Sequence, residues 1–166
     1  MPACGSTAGA GALYTEIVRL LSAGALDDDA VREKAAEVDA AVTDPEDWLL
    51  DYDPEEIRQL VVEMTLGEFF LIGDKIDELH ELISDEFAEP LPPFPYREDQ
   101  EKVRSKDYFA WLDAQLLARP TAWEVVSWHN GLDDNLHVVI VRRSDTDRPL
   151  ALAGTMGLRV ERATAI

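Results

Sequence analysis

Residues 122–141 have the sequence AWEVVSWHNGLDDNLHVVIV, in which two runs rich in Val, Ile and Trp flank a polar stretch. β-Branched and aromatic residues favour strands, and a loop dense in Gly, Asn and Asp between two such runs is typical of an antiparallel hairpin. The sequence therefore predicts strands at 122–128 and 136–141, joined by a turn. This hairpin decides the fold class, because the pattern on both sides of it is largely helical.

The segments around the hairpin complete a small sheet. Downstream, a short helix at 148–156 and a strand at 158–162 form a β-β-α-β unit with the hairpin. Upstream, the apolar run at 68–72 predicts a further strand. We therefore expect an α+β fold in which a helical N-terminal part packs on a small mixed, mostly antiparallel sheet with a C-terminal β-β-α-β unit.

Apolar residues at helical spacing predict the helices. The five apolar stripes are Leu13, Ile17, Leu20 and Leu21; Val31, Ala35, Val38 and Val42; Ile57, Leu60, Val61 and Met64; Ile76, Leu79, Leu82 and Ile83; and Tyr108, Trp111, Leu112 and Leu116. Two similar signals, Asp44-Pro45-Glu46-Asp47 and Asp53-Pro54-Glu55-Glu56, place Asp at a helix N-cap and Pro at the first helical position. They predict one short helical turn and one full helix.

The domain organisation follows from composition along the chain. Residues 1–12 form a leader of small residues that we expect to be flexible, and 13–166 form a single α+β domain. Within it, an acidic helical part (13–88) precedes a proline-rich connector (89–97), which four prolines keep extended. The remainder, 98–166, contains a helix and then the hairpin, helix and strand.

The net charge of −19 is concentrated in one segment. Residues 27–101 carry 25 acidic and 5 basic side chains, a net charge of −20. Phosphate backbones and anionic membranes require clustered Lys and Arg, so direct nucleic-acid and membrane binding are disfavoured. The natural partner of such a field is a basic protein surface. The alternative is that the carboxylates only keep the protein soluble.

The compartment is predicted from what the chain lacks. No apolar run approaches the ~18–20 residues that span a bilayer, and the N-terminus has no basic region followed by an apolar core. The single Cys4 can form no internal disulfide. We expect a soluble, reduced, cytoplasmic protein.

The sequence contains no recognisable catalytic motif: the phosphate loop GxxxxGK[ST], GxGxxG, HExxH and GxSxG are all absent. We therefore predict a protein that is not an enzyme and has no catalytic residues, no metal site and no cofactor. The alternative is a metal-binding or enzymatic site in the hairpin, formed by His129, Asp133, Asp134 and His137. An ordinary polar turn accounts for the same residues. His137 alternates with Val138 and is expected on the opposite face of the strand.

Aromatic residues among acids are the stronger indication of a binding surface. Trp48 and Tyr52 lie between the two capping signals, and interfaces favour Trp and Tyr anchors surrounded by charge. The alternative is that Trp48 fills the core where two helices meet. The predicted partner-binding residues are Trp48, Asp51, Tyr52, Asp53, Glu55, Glu56, Asp77, Glu78 and Glu81.

The stretch from Trp128 to Val141, followed by a short helix and Gly157-Leu158, resembles the C-terminal part of small uncharacterised bacterial α+β domains. Those domains bring no activity to transfer. In size, acidity and α+β composition the chain is also similar to immunity proteins of bacterial toxin systems, which bind and block a toxin domain. This resemblance implies a toxin inhibitor whose partner is a basic toxin domain.

A further alternative is a DNA mimic, in which carboxylates imitate phosphates and occupy a nucleic-acid-binding protein. It requires regular rows of charge about 6–7 Å apart, as along a duplex. The residues that could form one row are Asp74, Asp77, Glu78, Glu81, Asp85 and Glu86.

Overall fold

A computed structural model describes residues 6–96 and 103–166, with side chains from Gly9 onward. The helices of this part of the chain are α1 (Ser6–Leu21), α2 (Asp28–Thr43), α3 (Pro54–Thr65), α4 (Ile76–Asp85), α5 (Ser105–Leu117) and α6 (Asp147–Met156). Its strands are β1 (Phe70–Gly73), β2 (Trp123–Trp128), β3 (Leu136–Arg142) and β4 (Val160–Arg162). A 3₁₀ turn, Asp47–Asp51, joins α2 to α3.

The four strands form one sheet in the order β1-β3-β2-β4. Strand β3 pairs with both β2 and β1, so that Val139 lies opposite Val126 on one side and Phe70 on the other. The predicted α+β class, the hairpin and the β-β-α-β unit are confirmed. All three strand pairings are antiparallel.

A hydrophobic core lies on each face of the sheet, and alternate side chains of each strand point to opposite faces. Val126 and Val139 lie in a core with α1, α2, α3 and α6. Their neighbours Val125 and Val138 lie in a second core with α4 and α5. The helices therefore form two layers, one on each side of the sheet, and any surface carried by α3 lies on a different layer from one carried by α4.

The first helix starts earlier than its apolar stripe predicts. It begins at Ser6, not at Leu13, so the flexible leader expected over 1–12 is helical from Ser6 onward. Alanine favours helix, and the side chain of Ala10 packs against the core from this added part of α1. Residues 1–5, with the lone cysteine, lie outside the described part of the chain.

The two capping signals have different outcomes. The second begins α3 at Pro54 as predicted, and the backbone N–H of Asp53 donates to the Glu56 carboxylate at 3.2 Å. The first does not act as an N-cap at its own aspartate. Asp44 instead ends α2, and the predicted helical turn starts at Asp47.

The strand predicted at 68–72 is displaced toward its C-terminal end. Gly67–Phe69 forms a 3₁₀ turn, so β1 starts at Phe70 and ends at Gly73. The final strand is likewise shorter than the predicted 158–162 and begins at Val160.

The proline-rich connector packs on α4 and α5 over its described length. Leu91 is buried, and the Phe94 ring lies 5.5 Å from the Tyr108 ring and 5.2 Å from the Trp111 ring, centroid to centroid. Residue 97 of the connector and residues 98–102 of the following segment lie outside the described part.

His80 forms hydrogen bonds with two residues at this aromatic cluster of Phe94, Tyr108 and Trp111. Its Nδ1 accepts a hydrogen bond from the Tyr108 hydroxyl at 2.9 Å, and its Nε2–H donates to the Pro92 carbonyl at 3.0 Å. Burial raises the pKa of the Tyr108 hydroxyl, which therefore remains a neutral donor. The histidine joins α4 to the connector and to α5.

We expect Trp111→Ala to lower the free energy of unfolding by about 2 kcal/mol, roughly half of what a fully buried tryptophan would cost. The sequence places Trp111 in the core with Tyr108 and Leu112, but it is only partly buried there, against His80. Urea unfolding followed by circular dichroism measures the change. Leu117→Ala, on the exposed side of α5, is the control and should cost less than ~0.5 kcal/mol. Equal losses for the two variants would contradict the packing of Trp111.

Candidate binding surface and hairpin cluster

The nine predicted partner-binding residues divide between the two helical layers. Six lie on the 3₁₀ turn and the start of α3, on the layer whose core contains Leu49 and Ile57. We call these six the Trp48 surface: Trp48, Asp51, Tyr52, Asp53, Glu55 and Glu56. The other three, Asp77, Glu78 and Glu81, lie on α4, which buries Leu79 in the second core. The acidic segment therefore forms two separate surfaces.

Trp48 lies on the protein surface. Its side chain is 43% exposed, whereas the adjacent Leu49 is 2% exposed and occupies the core position of the turn. The indole N–H donates to the Glu46 carboxylate at 2.9 Å, and the ring packs edge-on against Tyr52 at 6.3 Å between centroids. The alternative that Trp48 fills the core is wrong. These contacts hold the ring in place without burying it.

The acidic residues beside Trp48 differ in their exposure and in the contacts that they make within the protein. Asp51, Asp53 and Glu55 are exposed, and Glu56 is half-buried and accepts a hydrogen bond from the Asp53 backbone. The Glu55 side chain lies over Gly157, where an added Cβ would be 2.7 Å from its carboxyl carbon. Asp51 lies outside any ion pair formed within the described residues. Its charge is therefore available to a partner.

The acids of α4 are exposed along the length of the helix. Near its start, Glu78 accepts a hydrogen bond from the Asp74 backbone at 3.3 Å, and Asp77 accepts one from the Glu78 backbone at 3.0 Å. Asp77, Glu81 and Asp85 follow at intervals of four residues. With a rise of about 1.5 Å per residue, they lie on one side of the helix about 6 Å apart along its axis.

A groove adjoins the Trp48 surface between α2 and α3, with a volume of about 520 Å³. It is lined by Glu37, Ala40, Ala41, Asp44, Glu46, Leu49, Val61, Met64 and Thr65, and we call it the α2–α3 groove. The sequence does not reveal this groove, because Met64 fits the apolar stripe of α3 and is expected in the core. Met64 is instead 55% exposed. The groove therefore has an apolar wall open to solvent.

In the hairpin, His137 and Asp133 meet, and Glu63 of α3 joins them. His137 is 5% exposed; its Nδ1 donates to the Glu63 carboxylate and its Nε2 lies 2.8 Å from an Asp133 carboxylate oxygen. The Asn130 amide donates to the other Glu63 oxygen at 3.1 Å. Carboxylates accept hydrogen bonds but do not donate them, so the imidazole is the donor between the two acids. We call Glu63, Asn130, Asp133 and His137 the hairpin cluster.

The other two residues of the predicted hairpin site lie apart from this cluster. His129 pairs through Nε2 with the Glu161 carboxylate at 3.0 Å, and Asp134 is exposed. As the alternation of β3 predicts, His137 and Val138 lie on opposite faces of the sheet. His129 and His137 do not share a site.

The geometry of the hairpin cluster favours a structural role over chemistry. The hydrogen bond from His137 lowers the pKa of the Asp133 carboxyl and keeps it ionised. The two carboxylates bind opposite edges of one ring, so they do not converge on a point where a cation could bind. In residues 6–96 and 103–166 no group of three or more His, Cys, Asp or Glu side chains is arranged to hold a metal ion. A pocket of about 230 Å³ opens beside His137, but both ring nitrogens are already bound.

Comparison of the chain with protein-family models, curated proteins and solved structures finds no match. The resemblance of residues 128–158 to bacterial α+β domains, and the similarity to immunity proteins, remain predictions. Within the described ranges, no helix has both the length and the apolar character needed to cross a bilayer.

Proposed function

We propose that this protein is an acidic binding module that inhibits or shields a basic protein partner through the Trp48 surface. In its specific form, the proposal is a toxin-neutralising immunity protein that acts in the cytoplasm on a basic toxin domain. The observation that carries it is the exposed Trp48, held by Glu46 and Tyr52 among acidic side chains.

The Trp48 surface combines an exposed aromatic anchor with a strongly negative electrostatic field. Binding energy at interfaces concentrates in a few residues, among which Trp and Tyr are enriched, and a ring already held in position loses little freedom on binding. The segment with a net charge of −20 would speed the approach of a cationic partner. Solubility alone does not account for a large aromatic ring fixed on the surface. Supporting a non-enzymatic role, the hairpin cluster uses both nitrogens of its histidine internally.

A second candidate, the DNA mimic, is favoured by one observation on α4. Asp77, Glu81 and Asp85 are exposed at intervals of about 6 Å, close to the spacing of phosphates along a strand. This row lies on the other layer from the Trp48 surface. The two candidates therefore assign binding to different, separately mutable surfaces.

Capture with the full-length protein from extracts of its native host, followed by stopped-flow kinetics with the purified captured protein, tests both candidates. We expect a basic partner whose association rate falls about tenfold or more between ~0.01 M and ~0.15 M salt, as screening shortens the range of the field. Duplex DNA should not compete for it. A partner displaced by DNA and lost with Asp77→Lys/Glu81→Lys would favour the mimic. A partner without a basic surface, or a rate insensitive to salt, would contradict both.

A further inference from the structure

The α2–α3 groove has a floor and an exposed wall of different character. Leu49 and Val61 are each 2% exposed and form its apolar base, while Met64 stands 55% exposed beside them. Ala40 and Ala41 have small side chains and leave this part of the α2 side of the groove shallow. Methionine is flexible and polarisable, which suits a surface that adapts to an incoming apolar group. A volume of about 520 Å³ is within the usual range of ligand pockets.

The rim of the groove determines which charges its occupant can carry. Three carboxylates, those of Glu37, Asp44 and Glu46, line it, and no cationic side chain does. Lys34, which is not part of the lining, places its ammonium 3.8 Å from Glu37. An acidic occupant would be repelled, and a purely apolar one would desolvate the rim carboxylates without adding a partner for them. A segment that carries Lys or Arg on either side of an apolar side chain fits both the apolar base and the acidic rim of the groove.

The groove is continuous with the Trp48 surface. Glu46 belongs to its lining and also accepts the hydrogen bond from the Trp48 indole at 2.9 Å. Three large apolar side chains are exposed in this region, namely Trp48 and Leu50 on the 3₁₀ turn and Met64 on α3. A partner that approaches Trp48 therefore meets the groove as part of the same interface.

We propose that the α2–α3 groove binds an amphipathic, basic helical segment of the protein partner. One apolar side chain of the segment inserts against Met64, Leu49 and Val61, and flanking Lys or Arg side chains pair with the rim carboxylates. This mode follows the general pattern of a helix laid in a groove through anchors at helical spacing. The inference rests on the proposed function and names the kind of segment that the partner presents.

The probe is a synthetic peptide of about 18 residues built from Leu and Lys, with Leu at helical spacing. A matched peptide with Ser in place of Leu keeps the charge and removes the anchors. Titration into full-length protein with ¹³C-labelled methionine methyl groups should shift the Met64 methyl saturably and leave the buried Met156 methyl unchanged. We expect the Leu/Lys peptide to bind about tenfold more tightly than the Ser/Lys peptide, as one buried aliphatic anchor provides.

Two variants separate the groove from general charge attraction. Met64→Lys should weaken Leu/Lys binding about tenfold or more, because it places a cation against the apolar wall. Leu117→Lys makes the same change at a similarly exposed leucine on α5, across the sheet, and should have little effect. Equal binding of the two peptides, equal effects of the two variants, an unmoved Met64 methyl, or no binding at low salt would each overturn the groove proposal. The Trp48 surface is judged separately, by stopped flow with the captured partner.

Discussion

Replacing His137 with leucine is expected to lower the free energy of unfolding by about 3–5 kcal/mol, the usual cost of removing one partner from a buried ion pair. The change would leave the Glu63 carboxylate, which is 7% exposed, with the Asn130 amide as its remaining donor. Leucine fills a volume close to that of the imidazole, so a cavity contributes little to the loss. Urea unfolding at neutral pH, followed by circular dichroism, measures it.

His129→Leu is the matched control, because its ion pair with Glu161 is about 40% exposed on both sides. Exposed pairs contribute little, and we expect a loss below ~1 kcal/mol. The double variant Glu63→Leu/His137→Leu removes both charges together and should recover much of the stability lost by His137→Leu alone. Similar losses for His137→Leu and His129→Leu would show that the hairpin cluster is not a stabilising ion pair.

The hairpin cluster also explains how a long polar loop is held on a helical layer. Glu63 lies on α3, 74 positions from His137 on β3, and Asp133 brings the loop tip to the other side of the same ring. The contact fixes the tip of the hairpin to the layer that carries the Trp48 surface. These contacts join α3, β3 and the hairpin loop into one unit.

The sequence predicts the fold where the information is local. The hairpin of β2 and β3 depends on strand-forming residues and a turn within 20 positions, and helix α3 on a stripe and a Pro at its first position. The place of β1 in the sheet could not be obtained this way. Phe70 pairs with Val139, which is 69 positions away, and no short-range signal specifies a partner at that distance along the chain.

The candidate site was predicted less well, for two physical reasons. A 3₁₀ turn of five residues is too short for periodicity to assign its faces, so the sequence could not decide whether Trp48 or Leu49 enters the core. In addition, counting charges along the chain does not show where the charged side chains lie in the folded protein. Glu56 and Glu81 belong to one acidic segment, but the sheet separates the helices that carry them.

The surface position of Asp51 leads to the prediction that bears most directly on function. We expect Asp47→Lys/Asp51→Lys to reduce the rate of association with the captured partner about 10- to 100-fold at ~0.01 M salt, because both side chains are exposed beside Trp48 and reversal removes local steering. The capping hydrogen bond from the Asp53 backbone goes to Glu56 and not to either of these residues, so the helices should be unaffected. Circular dichroism and urea unfolding check that the variant is folded.

The control applies the same change in net charge at a distance. Glu86→Lys/Glu89→Lys reverses two exposed acids, one at the C-terminal end of α4 and one on the connector, both across the sheet from the Trp48 surface, and should slow association less than about threefold. The difference between the two pairs should shrink at ~0.15 M salt, where the Debye length is ~8 Å instead of ~30 Å, because screening then limits the field to the immediate contact. If the two pairs slow association equally, the association rate depends on total charge and the Trp48 surface is not the binding site. If neither does, the carboxylates of this segment serve solubility.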